Sequence, residues 1–129
     1  MSQGRKQPPV ASAAHPANIG ATLSQRKVAR PAVNLAAKLS SFREHWAPRV
    51  VAEFNGHDVM VVKVKGEFRW HQHEGTDDFF LVGPSELFVV PKAVQHCPVA
   101  EEEAHLLLVE PVGTPDNGDR TTAAERRVI

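Results

Sequence analysis

Residues 70–82 read WHQHEGTDDFFLV, and residues 85–96 follow almost at once with SELFVVPKAVQH. The first stretch carries two histidines and two adjacent acids, and the second ends on a third histidine. Three imidazoles and one carboxylate are a typical ligand set for a single transition-metal ion, provided that the fold brings the two stretches together. The candidate metal ligands are His71, His73, Asp78 and His96.

The spacing within the first stretch supports this interpretation. Side chains two residues apart on a β-strand project from the same face, so His71 and His73 can bind one ion without distorting the backbone. Asp78 adds a hard oxygen donor, although its neighbour Asp77 could substitute for it, and the sequence leaves that choice open. A His-x-His pair alone is a weak signal; the later His96 is what makes a site worth considering.

Length and charge divide the chain. At 129 residues it can form one small domain with tails, and its 15 basic and 15 acidic residues balance. The first 30 residues nevertheless contain five basic residues and no acid, so we expect residues 1–32 to be a disordered basic extension. A targeting peptide or a nucleic-acid arm would also be basic, but these cations are too scattered to indicate either. Residues 33–114 are the expected domain, and residues 115–129 a flexible tail.

Cysteine content and hydropathy indicate a compartment. The single Cys97 cannot form an internal disulfide, which suits a reducing environment, and we expect a cytoplasmic protein. No apolar run approaches the roughly 18–20 residues that a membrane helix needs, and no signal-peptide core is evident. Neither a phosphate-binding glycine loop nor an interleaved aromatic and basic pattern is present, so we expect no nucleic-acid partner.

The remaining pattern is mostly β. Asn34 is a predicted N-cap for a helix reaching about Phe42, and Asn55-Gly56 is a strong hairpin signal between strands 49–54 and 57–65 because both residues tolerate positive φ. About seven short strands predict an all-β sandwich or barrel. The further predicted strands span residues 67–73, 78–82, 87–90, 96–100 and 104–110, the last two separated by the acidic run 101–103.

These residues resemble the two motifs of the cupin superfamily, in particular its small single-domain members. The first motif has a glycine, a His-x-His pair and an acid, and the second has the form PxGxxH. The matching positions are Gly66, His71, His73 and Asp78 for the first motif, and Pro91 and His96 for the second. The likeness runs from about Val33 to Gly113, and it implies a jelly-roll barrel that holds a divalent Mn, Fe, Ni, Cu or Zn ion.

The sequence departs from the family pattern in three ways. Asp78 stands where the family usually has Glu, and Ala93 stands where it has Gly, at a cost of about 1 kcal/mol if that position needs positive φ. The hairpin that normally separates the two motifs is missing, which shortens the barrel by about two strands. The strands on either side of that hairpin are neighbours in the family fold, so all four ligands can survive its loss.

Removing two strands has structural consequences. Apolar faces such as those of Leu81 and Phe88 lose their cover, so we expect a homodimer that covers the gap, or a poorly soluble chain. The resemblance implies a metal-binding cupin, and activity on a small organic or sugar-like substrate, as in mannose-6-phosphate isomerase-like proteins, is the first expectation. A non-catalytic binding or structural cupin and a degenerate cupin without activity are the alternatives. No residue can be named as a catalytic base.

Overall fold

The computed structural model describes residues 30–83 and 85–129, so the expected basic extension lies almost wholly outside the described residues. The chain divides into two units, Met1–Val33 and Asn34–Ile129, and the second carries the elements described below. No helix within the described ranges is long and apolar enough to cross a membrane. The elements are α1 (Leu35–Leu39), β1 (Arg49–Phe54), β2 (His57–Glu67), β3 (Asp78–Val82), β4 (Glu86–Val90), β5 (Val99–Pro111) and β6 (Arg127–Val128).

Helix α1 begins at the predicted cap. The Asn34 side chain accepts a hydrogen bond from the Ala37 N–H over 2.9 Å, which satisfies one of the free donors of the first turn. The helix ends at Leu39, before the predicted end at Phe42. Phe42 is buried instead, with the Arg49 guanidinium 4.7 Å from the centre of its ring.

All six strands form one sheet in the order β4-β3-β5-β2-β1-β6. The β1–β2 hairpin turns at the predicted dipeptide, where Asn55 and Gly56 have φ values of 48° and 73°. Strands β3 and β4 pair antiparallel from Asp78 opposite Val90 to Val82 opposite Glu86. The two stretches that carry the candidate ligands are therefore joined through a hairpin, as the sequence predicted.

Strand β5 runs through the acidic run, where the sequence predicted a break between two strands. Residues 101, 102 and 103 lie between the pairs Gly66–Ala100 and Val64–Ala104, opposite only Lys65 of β2, which is a β-bulge. The three glutamates are exposed. The prediction of two strands was wrong because a bulge accommodates the extra residues without ending the strand.

The predicted strand at residues 67–73 is also not formed beyond Glu67. Residues 68–73 run antiparallel to residues 93–98 and share only isolated backbone hydrogen bonds with them, including Phe68 N–H to Pro98 O at 3.0 Å and Ala93 N–H to His73 O at 2.7 Å. A β-strand needs a continuous series of backbone hydrogen bonds to a partner strand, and the short segment 93–98 does not supply one. These two segments form a reduced second layer over the sheet.

The core lies between the sheet and this second layer. Its buried members come from β1, β2, β3, β4 and β5, and Trp46 packs against them and stacks on Phe68 with ring centres 4.8 Å apart. A cavity of about 40 Å³ remains between the layers, with His71 and Asp78 in its wall. The buried core residues are Val50, Met60, Val62, Val64, Phe80, Val90 and Leu108.

The segment after Thr114 contacts the sheet, whereas the sequence predicted a flexible tail from residue 115. Strand β6 pairs parallel with β1, and Arg126 forms an ion pair with Asp58 on β2 and donates a hydrogen bond to Glu110 on β5. The prediction was based on polar composition, which does not reveal that Arg126 contacts the acidic side chains of Asp58 and Glu110 on two other strands.

Candidate metal centre

The four predicted ligands meet in one place. Each of His71, His73, Asp78 and His96 offers a ligand atom, and these atoms all lie within 4.8 Å of one another. The two histidines of the first motif come from the segment 68–73, Asp78 is the first residue of β3, and His96 comes from the segment 93–98. The two sequence motifs are therefore joined at a single cluster despite the short gap between them.

Backbone carbonyls orient two of the imidazoles. His71 Nδ1 lies 2.8 Å from the Arg69 carbonyl oxygen, and His96 Nδ1 lies 3.0 Å from the Val94 carbonyl oxygen. A carbonyl only accepts, so each Nδ1 carries the proton and each Nε2 keeps a free lone pair. Fixing the tautomer through the far nitrogen is the usual way in which proteins prepare a histidine for a metal ion.

Unsatisfied buried atoms concentrate in the same cluster. Among the described residues, the only buried side-chain nitrogen or oxygen atoms without a hydrogen-bond partner are Nδ1 and Nε2 of His73, Oδ1 of Asp78 and Nε2 of His96. Asp78 Oδ2 lies 3.3 Å from His73 Nε2 and 3.5 Å from His96 Nε2. Leaving such groups unpaired costs about 1–3 kcal/mol each. A cation coordinated by these lone pairs would remove much of that cost, so the residues present fit a metal ion.

The electrostatics favour the protonation states that metal binding needs. Burial lowers the pKa of His71, and the neighbouring His96 and His73 lower it further, which keeps the imidazole neutral. Burial raises the pKa of Asp78, but the adjacent His73, Glu110 and His96 side chains outweigh this effect, and the net shift is downward. Neutral imidazoles and an ionised carboxylate are the ligand forms of these groups.

The structure distinguishes between the two adjacent acids. Asp78 is 3% exposed and lies in the cluster. The Asp77 Oδ1 instead accepts a hydrogen bond from the Lys92 N–H over 2.9 Å, outside the cluster. In the same turn Ala93 has a φ of 61°, so the position where the family has glycine does require positive φ. Asp77 therefore supports this turn and Asp78 faces the histidines.

Glu110 is a residue of this region that the sequence analysis missed. It is 2% exposed, it faces Asp78, and its Oε2 lies 2.5 Å from Arg126 Nη2. Burial and the adjacent Asp78 raise the pKa of Glu110 to about 9. The signal in the sequence was a single acid in the apolar run LLLVEPV, at residues 106–112.

The cluster is approached from two sides. His96 lines an apolar groove of about 320 Å³, together with Phe80, Phe88 and Val90. His73 lines a second, more polar depression of about 580 Å³ that also includes Arg120. The apolar groove lies beside β3 and β4, where the sequence analysis expected uncovered apolar surface.

Comparison with known proteins now identifies the family. A solved structure of a cupin-2 domain containing protein from Shewanella frigidimarina NCIMB 400 is 39% identical, with a TM-score of 0.60, and the match covers 61% of this chain and 93% of that one. The chain belongs to the cupin superfamily. The cupin fold predicted from the two motifs is thus confirmed, and the six-stranded sheet with its reduced second layer is this cupin's version of it.

Two other known proteins are similar to this chain. The protein NMB1881 from Neisseria meningitidis is 27% identical, with a TM-score of 0.49, over 62% of this chain and 98% of that one. The Bacillus subtilis (strain 168) protein YdbB is 34% identical over 56 residues, which are 43% of this chain and 50% of YdbB. The chain thus matches half the length of that curated relative. No protein-family model matches the sequence.

Proposed function

We propose that this cupin binds one divalent transition-metal ion through His71, His73, Asp78 and His96, and that the site engages a small organic molecule. The observation that carries the proposal is the convergence of four ligand atoms within 4.8 Å, several of them buried and without a hydrogen-bond partner. A purely structural cluster of this kind would normally satisfy its polar atoms internally.

The donor set restricts the metal to a class. Three imidazole nitrogens and one carboxylate oxygen suit Mn, Fe, Ni, Cu or Zn, and geometry alone does not select among them. When bound, such an ion acts as a Lewis acid that polarises a coordinated oxygen of the ligand. The contribution of the protein is to keep His71 neutral and Asp78 ionised and to exclude bulk water from a cluster that is mostly buried.

The groove beside His96 supports a ligand with an oxygen donor and an apolar body. Its wall includes Phe80, Val82, Phe88 and Leu106, so a purely polar ligand would find few partners there. A sugar-like substrate would have to use the polar depression beside His73 instead. Isomerase activity of the mannose-6-phosphate type remains a prediction from resemblance, and a cytoplasmic location remains a prediction from the single cysteine.

Metal content tests the proposal directly. The wild-type protein, His73→Ala, His96→Ala and His105→Ala are purified in parallel, and bound metals are counted by inductively coupled plasma mass spectrometry. His105 is the matched control, because it contacts Glu103 on the surface outside the cluster. We expect about one ion per chain in wild type and His105→Ala and strong loss in the other two. Equal metal content in all four proteins would refute the assignment.

We also propose that the chain forms a homodimer through β4. This strand is at one edge of the sheet, so one side of its backbone has no partner strand among residues 30–83 and 85–129. Leu87 and Val89 on it are 59% and 44% exposed, and Leu81 beside them on β3 is 38% exposed. A second copy adding its own β4 antiparallel would pair the edge and bury these side chains together, which a monomer cannot do.

The dimer is tested by light scattering coupled to size-exclusion chromatography. Wild type should elute with about twice the chain mass, and Leu87→Lys should shift the protein to monomer because a charge would be buried at the centre of the contact. Glu53→Lys, a charge change on an exposed residue of β1, is the control and should remain dimeric. A wild-type monomer across the accessible concentration range would contradict the proposal.

A further inference from the structure

Behind the proposed metal ligands lies a second set of side chains that ends in the C-terminal segment. Glu110, near the end of β5, faces Asp78 and lines the same 40 Å³ cavity as Asp78 and His71. It is 2% exposed, so bulk water cannot hold its carboxyl group in place. Whatever orients Glu110 also limits where the Asp78 carboxylate can move.

The Arg126 side chain orients the Glu110 carboxyl group. Its Nη2 donates to Glu110 Oε2 over 2.5 Å and also to the Thr114 carbonyl oxygen, while its Nη1 donates to Asp58 Oδ2 over 2.8 Å. The guanidinium group is therefore held by three partners, two of them on separate strands of the sheet. A planar group with fixed donors is better suited to this than a lysine ammonium.

We infer that Glu110 and Arg126 are positioning residues that fix the Asp78 carboxylate toward the three histidines, so that the C-terminal segment forms part of the metal site. The inference rests on the proposed metal binding. The contact series runs Arg126 to Glu110 to Asp78, and every side chain in it is at most 15% exposed. Asp78 needs such support because its own Oδ1 has no hydrogen-bond partner in the structure.

The expected effect is on metal affinity. Groups that hold a metal ligand in place typically contribute a factor of about 10–100 in affinity when they are removed. Glu110→Ala and Arg126→Met should therefore weaken binding by about that factor. Glu110→Gln should bind nearly as well as wild type, because the amide oxygen can accept from Arg126 while the amide N–H donates to Asp78.

The test uses Co²⁺ titrations of metal-free protein, followed by the visible absorption of the bound ion. The absorption spectrum reports the ligand geometry, and the titration reports affinity, neither of which requires an enzymatic activity. Asp58→Asn is the matched control, because it removes the other carboxylate of Arg126 without touching the side chains that face Asp78. Thermal unfolding of each metal-free protein separates a general loss of stability from a change at the site.

We expect the Glu110→Ala and Arg126→Met proteins to bind Co²⁺ weakly and with altered spectra, while the Asp58→Asn and Glu110→Gln proteins stay close to wild type. If Asp58→Asn weakens Co²⁺ binding as much as Arg126→Met does, the Arg126 contacts only stabilise the fold. The inference is then wrong, although the proposed function stands. If wild type binds no Co²⁺, the proposed function fails and this inference with it. If the Glu110→Ala protein does not fold, the inference is tested by comparing the Co²⁺ affinities of the Arg126→Met and Asp58→Asn proteins.

Discussion

The backbones of His71 and His96 are joined by a reciprocal pair of hydrogen bonds. The His71 N–H donates to the His96 carbonyl oxygen over 3.0 Å, and the His96 N–H donates to the His71 carbonyl oxygen over 2.8 Å. This main-chain link holds one histidine of each motif in register, whatever the side chains do. It explains how the two motifs, separated only by the β3–β4 hairpin, still bring the four proposed ligand residues together.

Metal binding should stabilise the fold. A ligand that binds only the folded state, at about 100 times its Kd, adds about 2.7 kcal/mol to the free energy of unfolding. For a domain of this size each kcal/mol raises Tm by about 4–8 °C, so adding Zn²⁺ or Co²⁺ should raise Tm by about 10 °C or more. Differential scanning fluorimetry of wild type and His96→Ala checks this. A rise of the same size in both proteins would show that the effect is not specific to the site.

Ala93→Gly should stabilise the protein by about 1 kcal/mol, because Ala93 has a φ of 61°, where an L-residue with a Cβ is strained. Urea unfolding measures the change. Gly66→Ala is the reverse control: its φ is 81° and a Cβ would meet no atom within 4 Å, so only backbone strain should make it destabilising. If Ala93→Gly is neutral or destabilising, the strain at this turn is small.

Met60→Ala should cost about 2–5 kcal/mol, since Met60 is 0% exposed at the centre of the core and its removal leaves a cavity. Val112→Ala, at a residue that is 58% exposed, should stay within about 0.5 kcal/mol of wild type. Chemical denaturation of both variants measures the difference. Similar losses in the free energy of unfolding of the two variants would mean that the core is loosely packed. A loosely packed core would agree with the expectation of a poorly soluble chain.

Glu103 should contribute a pH-dependent stabilisation. Hydrogen bonds from His45 and His105 lower the pKa of the Glu103 carboxyl to about 2, from an ordinary value of 4.5. A carboxyl with a lowered folded-state pKa stabilises the protein above its unfolded value, and that contribution is lost as the pH falls through the folded value. Wild type should therefore be more stable than Glu103→Gln at pH 5, and the difference should shrink toward pH 2.

Urea unfolding of both proteins at a series of pH values measures the contribution of Glu103. Glu102→Gln, at the neighbouring exposed residue, is the control and should follow wild type throughout. A constant difference between wild type and Glu103→Gln over the whole pH range would contradict the predicted role of the histidine contacts.

Local signals in the sequence predicted a large part of this structure. Asn34 caps a helix because its side chain accepts a hydrogen bond from a backbone N–H three residues later. Asn55-Gly56 forms a hairpin turn because both residues tolerate positive φ. The hairpin of β3 and β4 followed from apolar runs separated by turn residues. The four proposed ligands were predicted by residue type and spacing, and the structure brings those four side chains together.

The missed features depend on contacts between residues that are distant in sequence. Nothing local shows that the glutamates at 101–103 form a bulge, because that depends on how β2 pairs with β5. Residues 68–73 have the composition of a strand, but a strand also needs a partner, and in the described part of the chain these residues pair only with the short segment 93–98. In the sequence, Glu110 is simply an acid at the end of a predicted strand. Its role depends on Arg126, which contacts it from 16 residues further along the chain.

The position of Arg126 along the chain has a consequence for biosynthesis. All four proposed ligands are made before residue 97, whereas the arginine that supports Asp78 through Glu110 is made 30 residues after His96. At about 5–20 residues per second, a ribosome needs about 2–6 s to add that stretch. During this interval a nascent chain has its ligands but not their support, so it should capture metal only weakly. Firm loading would then follow the synthesis of Arg126, and any metal taken up earlier could still exchange.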